Sequence, residues 1–211
     1  MKTLTKLTIL SFSVLLAACT NSSMLAPTTA KSNTKAAESE TSKKIAQLET
    51  QAKTLKHFQY IHNNENYDVY LSTQPEFIQL STAKGIKKFF YKNGKLIANQ
   101  EHNQIKFFNA EHKPDQALLK ESQLLLNLFS YNKADKGIDR INTGDEAKVN
   151  YLCISKIQQV AQTKRVFRSP ENAIVKANLL KGIVRLNGNQ YYHLECNISD
   201  NQVSKLSLIS K

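Results

Sequence analysis

Lys87–Gln100 reads KKFFYKNGKLIANQ, and it contains the clearest turn signal in the chain. Asn93 and Gly94 readily take the positive φ angles that a type I′ turn requires. Apolar and aromatic residues flank this pair, so Tyr91–Lys92 is predicted to pair with Lys95–Leu96. The stretch therefore predicts a tight β-hairpin, which places an antiparallel sheet in the fold.

Further short runs with strand character lie on both sides of this hairpin. YDVYLS at 67–72 precedes it, and QIKFF at 104–108 follows it. Such runs, separated by turns, are typical of an antiparallel meander. Residues 182–210 are also rich in strand-forming residues, and Asn187–Gly188 and Asp200–Asn201 provide turn signals there. This region predicts a second meander.

Helical signals lie between and before these regions. Pro114 and Asp115 open a leucine-rich segment that ends near Phe129, and both residue types are typical of a first helical turn. We interpret its leucines as core rather than as the lining of a ligand cavity. A capping-box pattern at 143–146 precedes a second helical segment. The Ser-Pro-Glu sequence at 169–171 predicts a further short helix.

Residues 43–57 carry Ile45, Leu48, Ala52 and Leu55 at spacings of three, four and three residues, which places them on one helical face. Such a face fits either a short coiled-coil seam or an amphipathic helix that docks on its own domain. A coiled coil needs three or four heptads, and this segment spans about two. The docked helix is therefore favoured.

The N-terminal sequence has the layout of a secretory signal peptide. Lys2 and Lys6 precede an uncharged run that ends at Ala18. Twelve helical residues span about 18 Å, which is too short to cross a hydrocarbon core of about 30 Å. A charged start, a short apolar run and small residues before a cleavage site favour an exported chain over a membrane span.

Leu16-Ala17-Ala18-Cys19 resembles the lipobox of bacterial lipoproteins, in which an invariant cysteine follows a small residue. The resemblance implies cleavage before Cys19, a diacylglyceryl group on its sulfur and, usually, acylation of the new amine. Two or more acyl chains hold a protein stably on a membrane. Thr20 stands where aspartate would favour the inner membrane in this family, so the resemblance implies sorting to the outer membrane.

The elements together predict an α+β fold, in which amphipathic helices pack on antiparallel β-meanders behind a disordered N-terminal tether. The tether is predicted because residues 20–42 offer almost no large apolar side chain for burial. The predicted segments are 1–18 for the signal peptide, 19–42 for the lipidated tether, 43–57 for the amphipathic helix and 58–211 for a periplasmic domain, with 58–132 and 143–211 as its candidate halves.

The chain is strongly basic, with a formal net charge of +12. Loss of Lys2 and Lys6 with the signal peptide, a segment without acidic residues, lowers this charge to +10. Such a balance favours anionic surroundings, for which lipid head groups, lipopolysaccharide phosphates, cell-wall carboxylates or an acidic protein are candidates outside the cytoplasm. A lysine-rich solvated surface is the alternative. No nucleic-acid-binding motif is seen, and none is expected for an exported chain.

With Cys19 lipidated, Cys153 and Cys196 remain as a pair. An even pair in an oxidising compartment predicts a disulfide, and two buried free thiols are the alternative. Cys153 as a nucleophile with His193 as its base is a weaker interpretation, because the neighbouring residues give it no support.

Chemistry-bearing motifs do not appear in the sequence. There is no Gly-x-Ser-x-Gly elbow, His-Glu-x-x-His helix, phosphate-cradling glycine loop or Cys-x-x-Cys pair. His57 and His62 are five residues apart, off the spacing that places two metal ligands on one helical face. We therefore predict no catalytic residue, no metal site and no cofactor, and a role other than that of an enzyme.

One basic and aromatic cluster stands out around the first hairpin. Its lysines interleave with Phe89, Phe90 and Tyr91, and such a mixture could bind an anionic partner. The alternative is that the aromatic rings face inward while the lysines protect a sheet edge. The lysines are Lys84, Lys87, Lys88, Lys92 and Lys95.

These observations predict a lipoprotein that is anchored in the outer membrane through Cys19, faces the periplasm and binds or organises an envelope partner without catalysis. Two other functions remain open at this point. One is an immunity or inhibitor lipoprotein directed against a hydrolytic toxin, and the other is a lipid or lipoprotein carrier whose leucine-rich helix lines an apolar cavity.

Overall fold

A computed structural model describes residues 31–130 and 144–211. This part of the chain forms an eleven-stranded mixed sheet with three helices, which is an α+β architecture. The helices are α1 (Lys31–Ala52), α2 (Gln116–Phe129) and α3 (Asp145–Val160). The strands are β1 (Lys56–His62), β2 (Glu65–Leu71), β3 (Pro75–Thr82), β4 (Gly85–Lys92), β5 (Lys95–Glu101), β6 (Gln104–Phe107), β7 (Val166–Arg168), β8 (Ile174–Lys176), β9 (Leu179–Leu186), β10 (Gln190–Ser199) and β11 (Gln202–Ser210).

The sheet joins the two regions that the sequence marks as meanders. Strands β1 to β6 are consecutive antiparallel neighbours, and β9, β10 and β11 form a second antiparallel run. Both β7 and β8 pair with β9. Strands β1 and β11 pair in parallel, with Tyr60 opposite Leu206. The candidate halves therefore share one continuous sheet, because the first strand of one pairs with the last strand of the other.

The hairpin around Asn93 and Gly94 forms as predicted. These two residues have φ angles of 52° and 72°, and Tyr91 and Lys92 lie opposite Leu96 and Lys95. The ladder shifts register next to this turn, between Phe90 and Tyr91. The two-residue turn follows from the backbone freedom of Asn-Gly, and it fixes which β4 side chains point to each face.

Alternate side chains of the strands build two separate layers. The inner face, which we define as the face that packs against α2 and α3, includes Ile78 and Phe89. The outer face carries Phe77 and Phe90, against which Ile45 of α1 packs. Adjacent residues of β3 and β4 thus enter opposite cores, as the two-residue period of a strand requires.

Helices α2 and α3 supply the inner layer. Asp115 is the N-cap of α2, and its side chain accepts a hydrogen bond from the Leu118 amide at 2.9 Å, so the predicted helix start is confirmed. In α2, Leu125, Leu126 and Phe129 are buried in the main core. Leu125 and Leu126 are thus core, as interpreted from the sequence. The interpretation does not hold for the whole face, because Leu119 and Leu124 are exposed and Leu124 and Leu128 line a groove.

Helix α3 also follows its predicted apolar spacing, although its start differs. The N-cap is Gly144, which provides no side-chain cap, whereas the capping-box pattern placed this role at residue 143, outside the described residues. The short helix predicted at 169–171 is wrong. The Ser169 amide donates a hydrogen bond to the Ile183 carbonyl of β9 at 2.9 Å, so it is not available for a helix. Asn172 then takes a positive φ of 56°, which turns the chain.

Helix α1 differs from the prediction at both ends. It begins at Lys31, inside the predicted tether, and it ends at Ala52, five residues before the predicted end. Alanine, lysine and glutamate in the first part favour a helix even without an apolar face to bury. Ile45 and Ala52 are buried on the outer face, so α1 is a helix that docks on its own domain.

Candidate functional site

The lipidation signal lies outside the described residues. Cys19, the signal peptide 1–18 and tether residues 19–30 precede the first residue of α1. Across residues 31–130 and 144–211, no helix has the length and apolar character needed to span a bilayer. Anchorage through Cys19 therefore stays a prediction from the sequence.

The predicted disulfide is present. Cys153 on α3 and Cys196 on β10 are bonded, and both are fully buried in the main core. Their Cα atoms are 6.1 Å apart, and the bond closes a sequence separation of 43 residues. The bond links α3 to β10 on the inner face of the sheet. It also occupies the Cys153 sulfur, so that sulfur is not a nucleophile in this state.

The hairpin lysines do not form one patch. Lys84 lies beyond one end of β4, while Lys92 and Lys95 flank the turn at the other end. Lys84 and Lys92 are eight positions apart, which corresponds to about 26 Å along an extended strand. Lys87 and Lys88 lie between them and point to opposite faces, toward α2 and α1 respectively.

Ion pairs hold both central lysines. The Lys87 ammonium lies 3.2 Å from the Glu101 carboxylate and 3.4 Å from that of Glu121, and Lys88 pairs with Glu49. Burial lowers the pKa of Lys87, but its hydrogen bonds and charge interactions with the two glutamates outweigh this effect and raise the pKa above the usual lysine value. These side chains therefore join helices to the sheet.

The hairpin aromatics are buried as well. Phe89 and Tyr91 lie in the inner core, and Phe90 lies under α1. The Tyr91 hydroxyl donates to the Ser122 carbonyl of α2 at 2.9 Å. Burial, with a smaller contribution from the charge of Glu121, raises the Tyr91 pKa far above its usual range. The hairpin rings are thus buried in the two cores, as in the alternative in which the aromatic rings face inward.

A different surface carries exposed apolar groups. The outer face of the C-terminal strands is not covered by any helix of residues 31–130 or 144–211, since α1 packs near β3 and β4. Cross-strand neighbours form rows on it: Phe167 lies opposite Arg185, which lies opposite Tyr191. The large exposed apolar side chains of this outer sheet face are Phe167, Ile174, Tyr191 and Ile209.

On the outer face of the C-terminal strands, two lysines share one glutamate. Glu195 accepts from Lys181 at 2.9 Å and from Lys205 at 3.2 Å, so one carboxylate serves two ammonium groups. The hydrogen bond from Lys181 lowers the Glu195 pKa most, burial opposes this shift, and Lys205 lowers it further. The Arg185 guanidinium lies 4.8 Å from the centre of the Phe167 ring.

A basic edge pocket adjoins this face. Its volume is about 470 Å³, and it lies between the segment after α3 and the turn that joins β9 to β10. Lys164, Arg165, Phe167 and Arg185 line it, together with the turn residues 187–189. In the described part of the chain, none of these three cations pairs with a carboxylate. The pocket is therefore suited to an anionic group.

A tyrosine groove lies on the opposite side, in the inner layer. It has a volume of about 410 Å³, and its walls come from α2 and from the C-terminal end of α3. Rings of the strands form its floor: Tyr60 lies 5.7 Å from Tyr67 and 6.0 Å from His62, and His62 lies 5.7 Å from Tyr192. Gln162, Asn187 and Gln190 contribute amide groups to the lining.

Two hydroxyls of this groove have no hydrogen-bond partner in residues 31–130 and 144–211. Tyr60 and Tyr192 are 4% and 9% exposed, and neither hydroxyl makes a hydrogen bond with another residue in the described ranges. The Tyr67 hydroxyl, in contrast, donates to Glu65 at 2.7 Å. Burial, followed by interactions with Tyr192 and Glu65, raises the pKa of Tyr60 far above its usual range. The hydroxyl therefore stays a neutral hydrogen-bonding group at physiological pH.

The chain is 48% identical to an uncharacterized protein of Pasteurella multocida (strain Pm70), in a match that covers 79% of this chain and 80% of that protein. The chain belongs to the same family as this protein. No family model matches the sequence. No solved structure matches it either.

The description of this family member as uncharacterized supplies no activity, so geometry alone defines the candidate sites. Among the described residues, no group of three histidine, cysteine, aspartate or glutamate side chains is placed to hold a metal ion. Phe167, Arg185 and Tyr191 are not among the candidate residues predicted from the sequence. The alternation of apolar and polar residues along β9 and β10 could have placed Arg185 and Tyr191 on one face of the sheet. This alternation does not show which of the two faces lacks a covering helix.

Proposed function

We propose that this protein is an outer-membrane lipoprotein, anchored through Cys19 and facing the periplasm, which binds the anionic surface of its own membrane. The single observation that carries the proposal is the uncovered outer sheet face, with Phe167 and Tyr191 exposed beside the basic edge pocket. In this proposal the protein acts by binding and not by catalysis.

Export is supported by two independent features. The lipobox resemblance around Cys19 specifies cleavage and acylation, and Thr20 favours the outer membrane within that family pattern. The buried bond between Cys153 and Cys196 fits an oxidising compartment, because structural disulfides are rare in reducing ones.

Charge and side-chain type favour a phospholipid surface as the occupant. Lysine and arginine near an anionic leaflet contribute about 1 kcal/mol each, and aromatic side chains are enriched at membrane interfaces. Lys164, Arg165 and Arg185 could contact phosphates while Phe167 and Tyr191 enter the head-group region. The mature chain has a charge of +10, which adds a long-range attraction to the same surface.

The position of the anchor agrees with this orientation. Helix α1 packs on the outer face, and its first residue, Lys31, lies 12 positions after Cys19. Twelve residues span at most about 40 Å when fully extended. In the proposal, this length limits how far the first residue of α1 can lie from an acylated Cys19.

Hydrogen exchange of the full lipidated chain tests the proposal. The chain is reconstituted into nanodiscs of phosphatidylcholine alone or of phosphatidylcholine with phosphatidylglycerol. We expect slower amide exchange in 164–169 and 187–192 only with phosphatidylglycerol, and we expect 0.5 M salt to remove the difference, since screening weakens exposed charge.

Matched variants identify the surface responsible. The triple change Lys164→Gln, Arg165→Gln and Arg185→Gln should abolish the lipid-dependent protection. The double change Lys92→Gln and Lys95→Gln removes charge from the hairpin and should leave the protection in place. Equal protection with and without phosphatidylglycerol, or loss of protection in the hairpin variant and not in the triple variant, would refute the proposed face. Protection only at high protein concentration would indicate a second copy of the chain as the occupant.

A further inference from the structure

The tyrosine groove differs from the rest of the surface because neither lysine nor any carboxylate or arginine lines it. The mature chain carries a charge of +10, yet neither lysine, arginine, aspartate nor glutamate lines this groove. A phosphate or carboxylate ligand would meet neither lysine nor arginine there, and a cationic ligand would find no acid within the lining. The groove is therefore suited to a neutral ligand.

The hydroxyls of Tyr60 and Tyr192 restrict the ligand further. Both side chains are at least nine-tenths buried, and neither hydroxyl has a hydrogen-bond partner among the described residues. An aliphatic chain laid over them would remove their access to water without replacing it, which is unfavourable for a polar group. The ligand should therefore present hydrogen-bonding groups to the floor of the groove.

The remaining lining gives the shape of that ligand. Aromatic side chains supply part of the lining, and the rings of Tyr60 and His62 are nearly parallel, at 6°, with centres 6.0 Å apart. Amides of Gln162 and Gln190 add donors and acceptors to the lining. A pyranose ring has apolar C–H faces that lie against aromatic rings, and hydroxyls around its edge that bond to amides. The volume of about 410 Å³ lies within the range of small-ligand sites.

We propose that the tyrosine groove is a binding site for a neutral saccharide, with its hydroxyls bonded to the phenols of Tyr60 and Tyr192 and to the surrounding amides, and its C–H face against the apolar part of the lining. The groove shares Asn187 with the basic edge pocket, but the tyrosines that carry this proposal lie in the inner layer and do not line that pocket. If both hold, one protein contacts a lipid surface with one side and a glycan with the other.

Binding is measured with the full lipidated chain in zwitterionic detergent micelles, since a detergent with a sugar head group would compete. The probes are a tetramer of N-acetylglucosamine, maltotetraose and myristate, added in calorimetric titrations. The chain has eight tyrosines and no tryptophan, so tyrosine emission gives a second signal for the same event. At least one of the two saccharides should bind, and myristate should not compete with it.

Variants separate the groove from unspecific binding. Tyr60→Phe with Tyr192→Phe keeps both rings and removes both hydroxyls, and it should weaken saccharide binding about tenfold. Gln190→Ala changes an exposed residue of the lining and should weaken binding about fivefold without affecting the fold. Tyr70→Phe alters an outer-face tyrosine and should leave affinity unchanged.

Three results would overturn the proposal. They are the absence of saccharide binding at millimolar concentration, equal affinity in the wild type and in the folded groove variants, and displacement of the saccharide by myristate. If the double tyrosine variant does not fold, the Gln190→Ala titration decides. Because these titrations contain no anionic lipid, their failure leaves the nanodisc result unaffected, and the reverse also holds.

Discussion

Lys87 and Lys88 are neighbours in the chain, and their ammonium groups bind carboxylates on opposite faces of the sheet. Lys87 lies 3.2 Å from Glu101 and 3.4 Å from Glu121 on the inner side, while Lys88 pairs with Glu49 of α1 on the outer side. One β-strand thus connects both helical layers through two consecutive residues. A helix could not produce this arrangement, because consecutive side chains alternate faces only in a strand.

Replacing Lys87 and Lys88 with glutamine should therefore lower stability. Partly exposed ion pairs contribute about 0.2–1 kcal/mol each, so the double variant should lose about 1 kcal/mol in urea unfolding. Lys92→Gln with Lys95→Gln is the control, because these exposed side chains pair with no carboxylate in the described ranges. Equal unfolding free energies for the two double variants would show that the ion pairs of Lys87 and Lys88 add no stability.

Removal of the Tyr91 hydroxyl tests the contact between the hairpin and α2. This hydroxyl donates to the Ser122 carbonyl at 2.9 Å inside the core. Tyr91→Phe keeps the ring but leaves a buried carbonyl without this donor, so about 1–2 kcal/mol of stability should be lost. Tyr70→Phe, on the partly exposed outer side, provides the comparison. A loss no larger in Tyr91→Phe than in Tyr70→Phe would contradict the assigned hydrogen bond.

Local signals predict the elements of this fold more readily than their arrangement. Asn93–Gly94 specifies its turn through backbone freedom alone, and Asp115 caps its helix through a contact three residues away. The parallel pairing of β1 with β11 joins residues nearly 150 positions apart, as in the bond from the Ser210 amide to the Asn63 side chain. Nothing local encodes that pairing.

The candidate sites show the same limit. The sequence grouped Lys84 with Lys95 because they are close along the chain, but the length of β4 separates the two ends of the hairpin. Tyr60 and Tyr192 meet in the groove only because β1 and β10 both neighbour β11. The pairing of Cys153 with Cys196 was predictable because only two cysteines remain after Cys19 is assigned to the lipid.

The disulfide should provide a large part of the stability of the inner layer. A closure of 43 residues corresponds to about 4 kcal/mol in the loop-entropy model. Cys153→Ala with Cys196→Ala should therefore unfold at much lower urea concentration, and dithiothreitol should destabilise the wild type but not this variant. A wild-type midpoint that is unchanged after complete reduction, verified by thiol titration, would contradict this expectation.

Cys19→Ser tests the anchor directly. The variant should accumulate as an uncleaved, unacylated precursor, because the thiol that receives the diacylglyceryl group is missing. Mass spectrometry of the wild-type N-terminus should find Cys19 as the first residue, with its acyl groups. An unmodified N-terminus at any other position would remove the basis for lipid anchorage.

The acid stability of the fold should depend on Glu195. Its pKa is lowered by the hydrogen bond from Lys181, against the opposing effect of burial, and Lys205 lowers it further. The folded state therefore keeps Glu195 ionised at pH values where the unfolded chain already binds the proton. Its contribution to stability is complete above the usual glutamate value of about 4.5, and it is lost as pH falls through the lower pKa of the folded state.

Glu195→Gln removes the titrating carboxyl group, so the stability difference between the wild type and this variant should depend on pH. At pH 7 the wild type should be more stable than the variant by less than about 1 kcal/mol, because the pair is partly exposed and solvent screens it. The difference should shrink as pH falls below about 4.5, since protonation then removes the same ion pairs from the wild type. Lys181→Gln with Lys205→Gln should reproduce this pattern, because the lysines cause the shift. Urea unfolding at pH 7, 5, 4 and 3 measures this difference in unfolding free energy. A difference between wild type and Glu195→Gln that grows toward low pH would contradict the expected pH dependence.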